Sequence, residues 1–213
     1  MSTTDVVVID YGVGNLLSVR RVLEHYGANV ILTGDASEII AGRRVVLPGV
    51  GAFPTAMQVL NEMQLPPVIR EVAARGTPLL GICLGMQLLL DESEEFGTTI
   101  GLGLIPGKVR AIPGIASDGQ SLKVPHIGWN GLHPAEHADW SNSLLSDIRP
   151  GEAVYFVHSF MAQPNAEHRV SDCMYGGHKV SAVVAKDNVI GCQFHPEKSG
   201  DVGLRIIKRF LKL

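Results

Sequence analysis

The 213-residue chain is short of cysteine, of basic charge and of long apolar runs, and each shortage excludes something. Its three cysteines, Cys83, Cys173 and Cys192, are odd in number and far apart, unlike a disulfide framework. Reduced thiols fit a cytoplasmic location, where one of them can serve as a nucleophile. Against 18 Lys and Arg stand 21 Asp and Glu, a net charge of −3, so no electrostatic footprint for nucleic acid or an anionic membrane is present. The longest uncharged apolar run, Pro78 to Leu90, falls short of the ~20 residues of a membrane-spanning helix and is broken by glycines. Met1-Ser2-Thr3-Thr4-Asp5 offers no basic segment followed by an apolar one, so no signal peptide is expected. Repeats and low-complexity tracts are missing. The glycine pairs Gly12/Gly14, Gly49/Gly51 and Gly101/Gly103 lack the third glycine of a dinucleotide fingerprint, and no Walker A sequence occurs. No cofactor is expected.

What is present is a composition fit for a large core: 46% hydrophobic, 18% charged. The first half alternates strand-like and helix-like segments. Val6-Val7-Val8-Ile9 reads as a strand buried on both faces. Leu16, Val19, Leu23 and Tyr26 follow at helical spacing, and Gly27 stands at the C-terminal cap. Val30-Ile31-Leu32 and Val45-Val46-Leu47 are further strands, with a short helix from Ser37 between them. A helical stretch from Phe53 to Arg75 is interrupted at Pro66-Pro67. Pro78 to Ile82 is a fourth strand and leads into an apolar helix running through Leu90. Such alternation argues for a parallel sheet covered on both faces.

Beyond Gly101 the segments 109–112, 153–160, 180–185 and 189–194 are strand-like with few helical spacers, which predicts antiparallel strands extending that same sheet. Asp201 to Leu213 closes the chain as an amphipathic helix with Ile206, Ile207, Phe210 and Leu211 on one face. Residues 1–213 are expected to form one α/β domain.

Gly81-Ile82-Cys83-Leu84-Gly85 has the form of a nucleophile elbow with cysteine in the serine position. The strand-to-helix turn is tight enough to require glycines two residues either side of Cys83. Its sulfur would then sit at a helix N-terminus, where unpaired N–H groups favour the thiolate, with the Leu84 N–H aimed at an oxyanion. The alternative is an ordinary buried thiol. Gln193-Phe194-His195-Pro196-Glu197 closes the last strand-like run. On extended backbone, His195 and Glu197 would emerge on one side, suiting a proton-transferring imidazole and the carboxylate that orients it. A loop histidine beside a solvated carboxylate is the competing view. Pro48-Gly49-Val50-Gly51 follows the third strand, where the backbone N–H near Val50 is a second candidate oxyanion donor. His133-Pro134-Ala135-Glu136-His137 matches H-x-x-E-H, but its polar, loop-like setting argues against a zinc site, and no metal is expected.

These runs, with Asp10 to Asn15, Pro48 to Phe53, Pro125 to Asn130 (Pro-His-Ile-Gly-Trp-Asn) and Tyr155 to Phe160 (Tyr-Phe-Val-His-Ser-Phe), resemble class I, triad-type glutamine amidotransferases nearly end to end. Within them the likeness is to the glutaminase subunits of imidazole glycerol phosphate synthase. The resemblance implies a flavodoxin-like fold with a mixed central sheet, helices on both faces and a cysteine elbow. It implies that Cys83 attacks glutamine, His195 shuttles the proton and Glu197 orients it, with Leu84 and Val50 as oxyanion donors. It also implies that the peptide near Val50 has to reorient before its N–H points inward. Gly51, Gln87, Glu95, Ser159 and Phe160 would hold glutamine. Phe160 stands where tyrosine is expected in many relatives, which is harmless for a backbone contact and fatal for a hydroxyl contact.

The implied partner is a (βα)8-barrel cyclase in a heterodimer, reached through an internal ammonia tunnel, with Asn15, Trp129, Tyr155 and Lys198 at the interface. Core packing is the alternative for Trp129 and Tyr155. Independently, the chain has no phosphate loop or basic cluster for a phosphorylated acceptor, so its ammonia needs a second protein. Another cysteine amidase or peptidase, the glutaminase of vitamin B6 synthesis, and a non-catalytic binding subunit are the other readings.

Overall fold

The computed structural model describes residues 5–136 and 138–213. The chain runs β1 (Val6–Ile9), α1 (Leu16–His25), β2 (Val30–Thr33), α2 (Ala36–Ala41), β3 (Val45–Gly49), α3 (Phe53–Glu62), α4 (Leu65–Ala74), β4 (Leu79–Cys83) and α5 (Leu84–Leu88). It continues β5 (Leu90–Ser93), β6 (Thr99–Ile100), β7 (Ile105–Ala111), β8 (His126–Gly131), β9 (His133–Pro134), β10 (Ala153–His158) and β11 (Phe160–Pro164). The last elements are β12 (Arg169–Tyr175), β13 (His178–Lys186), β14 (Val189–Cys192) and α6 (Gly200–Phe210).

The central sheet has eight strands in the order β2-β1-β3-β4-β14-β13-β12-β9. Pairing is parallel from β2 to β14 and antiparallel from there on. Side-chain alternation divides the core in two. Val6 and Val8 of β1 point into one cluster with Val19 and Leu23 of α1 and Ile206, Ile207 and Phe210 of α6. Val7 and Ile9 point into the other with Ile39 of α2, Met57 and Leu60 of α3, and Ile69 and Val72 of α4. Helices therefore cover both faces, as the β-branched runs require. Local signals set the ends: the Asp35 carboxylate accepts from the N–H groups of Ser37 and Glu38 to start α2, and Gly27 with φ +81° follows α1.

Three expectations are corrected. The strand-like segments of the second half do not all extend one sheet. β7 joins the four-stranded sheet β11-β7-β5-β6, and β10 pairs only with β8. β14 lies parallel to β4, because the chain returns to the middle of the central sheet there. Second, the apolar helix after the elbow ends at Leu88 and Leu90 already begins β5, so the leucine run divides between helix and strand. Third, the break between α3 and α4 falls at Gln64, with φ +57°, while Pro66 sits in the first turn of α4, where a missing N–H costs nothing. Among the described residues, no helix is long and apolar enough to cross a membrane and no metal-binding cluster occurs. His133 and Pro134 form strand β9 rather than helix, and His137 lies outside the described residues.

Candidate active site

Cys83 ends β4, with Gly49 of β3 as its register partner, and holds φ +55°, ψ −112°, a conformation that costs a non-glycine residue ~1–3 kcal/mol. The elbow glycines explain how this corner is tolerated. A Cβ on Gly81 would lie 2.7 Å from the carbonyl oxygen of Gly85, as the tight turn predicts. One on Gly85 would instead run into the carbonyl of Leu47, so the second glycine lets α5 approach β3. Leu84 is the first residue of α5, which leaves its N–H without an intrahelical acceptor next to the sulfur.

His195 and Glu197 reach each other by a different backbone from the one expected. β14 stops at Cys192, and Pro196 to Lys198 form a 3-10 turn that His195 precedes. That turn folds the carboxylate back, putting Glu197 Oε1 2.7 Å from His195 Nδ1 with both side chains buried. Burial pulls the imidazole pKa down. The hydrogen bonds to Cys83 and Glu197 and the charges of both outweigh it and hold the ring up at about 9. The ring is therefore an imidazolium at neutral pH, beside the sulfur.

A cleft of about 410 Å³ opens over this pair. Its walls bring together Cys83, Leu84, Val50, Gly51, Gln87, Glu95, Ser159, Phe160, His195 and Lys198, all singled out from sequence, with Pro125, Val157 and His158 beside them. Glu197 stands behind His195. The Glu95 carboxylate accepts from the Phe53 N–H at 2.8 Å, which fixes it at the N-terminus of α3. Gln87 donates both amide hydrogens, to the Phe160 carbonyl at 3.0 Å and to Gln193 Oε1 at 2.9 Å, leaving Oε1 as its remaining acceptor.

Asn15, Trp129 and Tyr155 do not line the cleft. Asn15 precedes α1, in a loop where Gly14 lies close to Pro48. Trp129 is 58% exposed, which removes core packing as its explanation, and its ring meets Tyr155 edge-on at 6.1 Å between centroids. Phe160 leaves no hydroxyl in the cleft and contributes its main chain.

Several groups escaped the sequence reading. The Tyr11 hydroxyl donates to the Pro48 carbonyl at 2.8 Å beneath the Val50 loop, and burial, then the charge of Cys83, pushes its pKa up. The Gln193 amide reaches Cys83 Sγ at 3.9 Å. His126 and His158 form a buried pair against the cleft wall. Gln193 lies two residues before His195, and His126 and His158 fall in the Pro125–Asn130 and Tyr155–Phe160 runs. Only the fold shows what each touches. Cys173 and Cys192 are buried strand residues.

The family model described as glutamine amidotransferase class-I matches residues 7–213, and the chain belongs to that family. The solved structure of PurLQS from Thermotoga maritima shares its fold, with a TM-score of 0.71 over 99% of this chain and 98% of that one at 19% identity. Relatives narrow the class. Imidazole glycerol phosphate synthase subunit HisH 1 of Legionella pneumophila (strain Lens) is 50% identical over 212 residues, 99% of this chain and 100% of the relative. Subunit HisH of Geobacillus thermodenitrificans (strain NG80-2) is 50% identical over 208 residues, 98% of this chain and 95% of the relative. Within the class, the chain is a member of the HisH subunit family.

Proposed function

We propose that this chain hydrolyses glutamine to glutamate and ammonia through a thioester on Cys83, and passes the ammonia to a (βα)8-barrel cyclase that makes imidazole glycerol phosphate and aminoimidazole carboxamide ribotide in histidine biosynthesis. The carrying observation is one cleft in which Cys83 meets a protonated His195 backed by Glu197, together with fixed polar groups sized for an amino acid. Residues 1–213 act in this proposal as one domain, supported by two cores that share the central sheet.

The Cys83 sulfur attacks the side-chain carbonyl carbon of glutamine, and the oxyanion forms against the N–H groups of Leu84 and, once its peptide faces inward, Val50. His195 gives its proton to the departing nitrogen, the C–N bond breaks, and ammonia leaves a γ-glutamyl thioester. His195, now neutral and held by Glu197, takes a proton from water, whose oxygen attacks the thioester. Glutamate departs and the sulfur returns to its starting state. Glu95 complements the α-ammonium, Gln87 Oε1 accepts from a donor of the substrate, and Gly51, Ser159 and Phe160 present main chain to the carboxylate.

The cyclase is proposed to dock on the outer face of β8 and β10. Ile127 and Trp129 stand 53% and 58% exposed there, with Tyr155 alongside, and Asn15 and Lys198 are proposed to join the contact. The Gly81-to-Gln87 and Trp129 runs count against the glutaminase of vitamin B6 synthesis, and the HisH relatives favour this reading over a stand-alone amidase. The test is glutamine turnover of the purified chain with and without a co-expressed cyclase. Ammonia release that rises with the partner and vanishes in Cys83→Ala supports it. Unchanged turnover in Cys83→Ala would end the triad assignment, and full activity of the isolated chain would favour the amidase.

A further inference from the structure

A serine at the N-cap of a helix ordinarily accepts from an N–H of the first turn. Ser199 holds that position before α6 and is buried, yet its side chain makes no such cap. Its hydroxyl is engaged elsewhere: Oγ accepts from the Tyr155 N–H at 3.0 Å and donates to the His195 carbonyl at 2.6 Å. An N–H only donates and a carbonyl only accepts, so the direction of both bonds is fixed.

These bonds complete an indirect pairing. In an antiparallel ladder, two opposed residues exchange bonds, each N–H going to the other's carbonyl. The His195 N–H goes directly to the Tyr155 carbonyl at 3.0 Å, but the Tyr155 N–H reaches the His195 carbonyl through the Ser199 hydroxyl. The two peptides beside His195 are therefore held separately. The Phe194–His195 peptide is held by its N–H. The His195–Pro196 peptide has no N–H, because proline follows, so its carbonyl is its one hydrogen-bonding group. That carbonyl also accepts from the Lys198 N–H at 3.0 Å, a bond that lies inside the 3-10 turn and moves with it. The Ser199 hydroxyl is what ties it to β10.

Two peptide planes meet at the His195 Cα. Holding both fixes φ and ψ there, at −99° and 97°, and with them the direction in which the imidazole leaves the backbone. Glu197 belongs to the same turn as His195, whereas Cys83 ends β4 of the central sheet. A turn free to tilt would carry Glu197 along with the ring and keep their 2.7 Å contact, while the distance from ring to sulfur changed. We propose that Ser199 is a positioning residue, its hydroxyl fastening the turn to β10 so that the His195 imidazole meets the Cys83 sulfur. This rests on the glutamine reading above.

The test is Ser199→Ala in the chain purified with the co-expressed cyclase, read against Phe210→Ala, which weakens α6 without touching the backbone of His195. Burial works to expel the His195 proton, and the bonds to Cys83 and then Glu197 retain it, so a ring drawn away from the sulfur loses its proton at lower pH. Ser199→Ala is expected to lower kcat for glutamine about tenfold and keep KM within about twofold. The alkaline midpoint of its kcat/KM should move from near 9 to about 8. Phe210→Ala is expected to keep the midpoint near 9. Unfolding midpoints report whether each variant is folded. Ser199→Cys, whose thiol is a weaker donor and acceptor, serves if Ser199→Ala does not fold, and should move the midpoint the same way by less. An unchanged midpoint in the folded Ser199 variant, or an equal drop in Phe210→Ala, overturns the positioning role. A wild type that iodoacetamide alkylates at Cys83 yet that hydrolyses no glutamine overturns the substrate reading itself.

Discussion

The proton on His195 is held against opposing forces: burial works to expel it, and Cys83 and Glu197 retain it up to about pH 9. Below that pH the ring can protonate the departing nitrogen; above it the ring is neutral and cannot. The pH profile of kcat/KM for glutamine is therefore expected to fall on the alkaline side with a midpoint near 9. Glu197→Gln removes a charge that holds the proton, so its alkaline limb should move to lower pH in the same assay. Stability follows the same sign. The ring's ordinary value is 6.5, so its contribution is fully present below that and fades as pH rises through about 9, readable in chemical unfolding at several pH values.

At this scale the sequence exposes residues whose chemistry is carried by local spacing. Cys83 sits between two glycines, and His195 and Glu197 are two apart. It conceals those that act through long-range bonds: Gln87 to Gln193 spans 106 positions and Tyr11 to Pro48 spans 37.

Among the elements, the elbow depends on how closely α5 approaches β3. Gly85→Ala is expected to cost on the order of 3 kcal/mol in denaturant unfolding and to slow alkylation of Cys83, because its methyl group would press on the Leu47 carbonyl. On the opposite core, Phe210→Ala in α6 should cost roughly 3–5 kcal/mol by loss of a fully buried ring, while leaving KM for glutamine nearly unchanged. Helical periodicity makes α1 and α6 legible, and short apolar runs make the first four strands legible, since each keeps one pattern over its whole length. It cannot say which sheet a strand enters. β10 alternates between buried and half-buried residues and β7 does not, yet the partners of both are set by register across the chain. The leucines after the elbow satisfy helix and strand alike, and hydrogen bonding of Gly101 to Leu104 onto residues 88–91 decides for a change at Leu89.

For the molecule as a whole, the exposed face of β8 and β10 is the place to test assembly. Trp129→Ala is expected to weaken the complex with the cyclase by ~2 kcal/mol, about thirtyfold in Kd by titration calorimetry, because a large ring at an interface centre carries more than its share of the contact. Its exposure could not be read from sequence, where a large aromatic suits a core or an interface equally well.

The path of the chain past β14 has its own consequence. The Gln193 N–H still bonds to Ala182 of β13, but two residues later the His195 N–H bonds to the Tyr155 carbonyl of β10, and Ser199 Oγ ties the Tyr155 N–H to the His195 carbonyl. Sulfur and imidazole are thus moored to separate rafts, one to the broad mixed sheet and the other to the narrow two-stranded sheet that the proposed partner would press. On the proposed docking, leverage on that two-stranded sheet would retune the gap between them without altering a single reacting group, and a clamp across the two rafts would hold turnover at one setting whether or not the visitor is aboard.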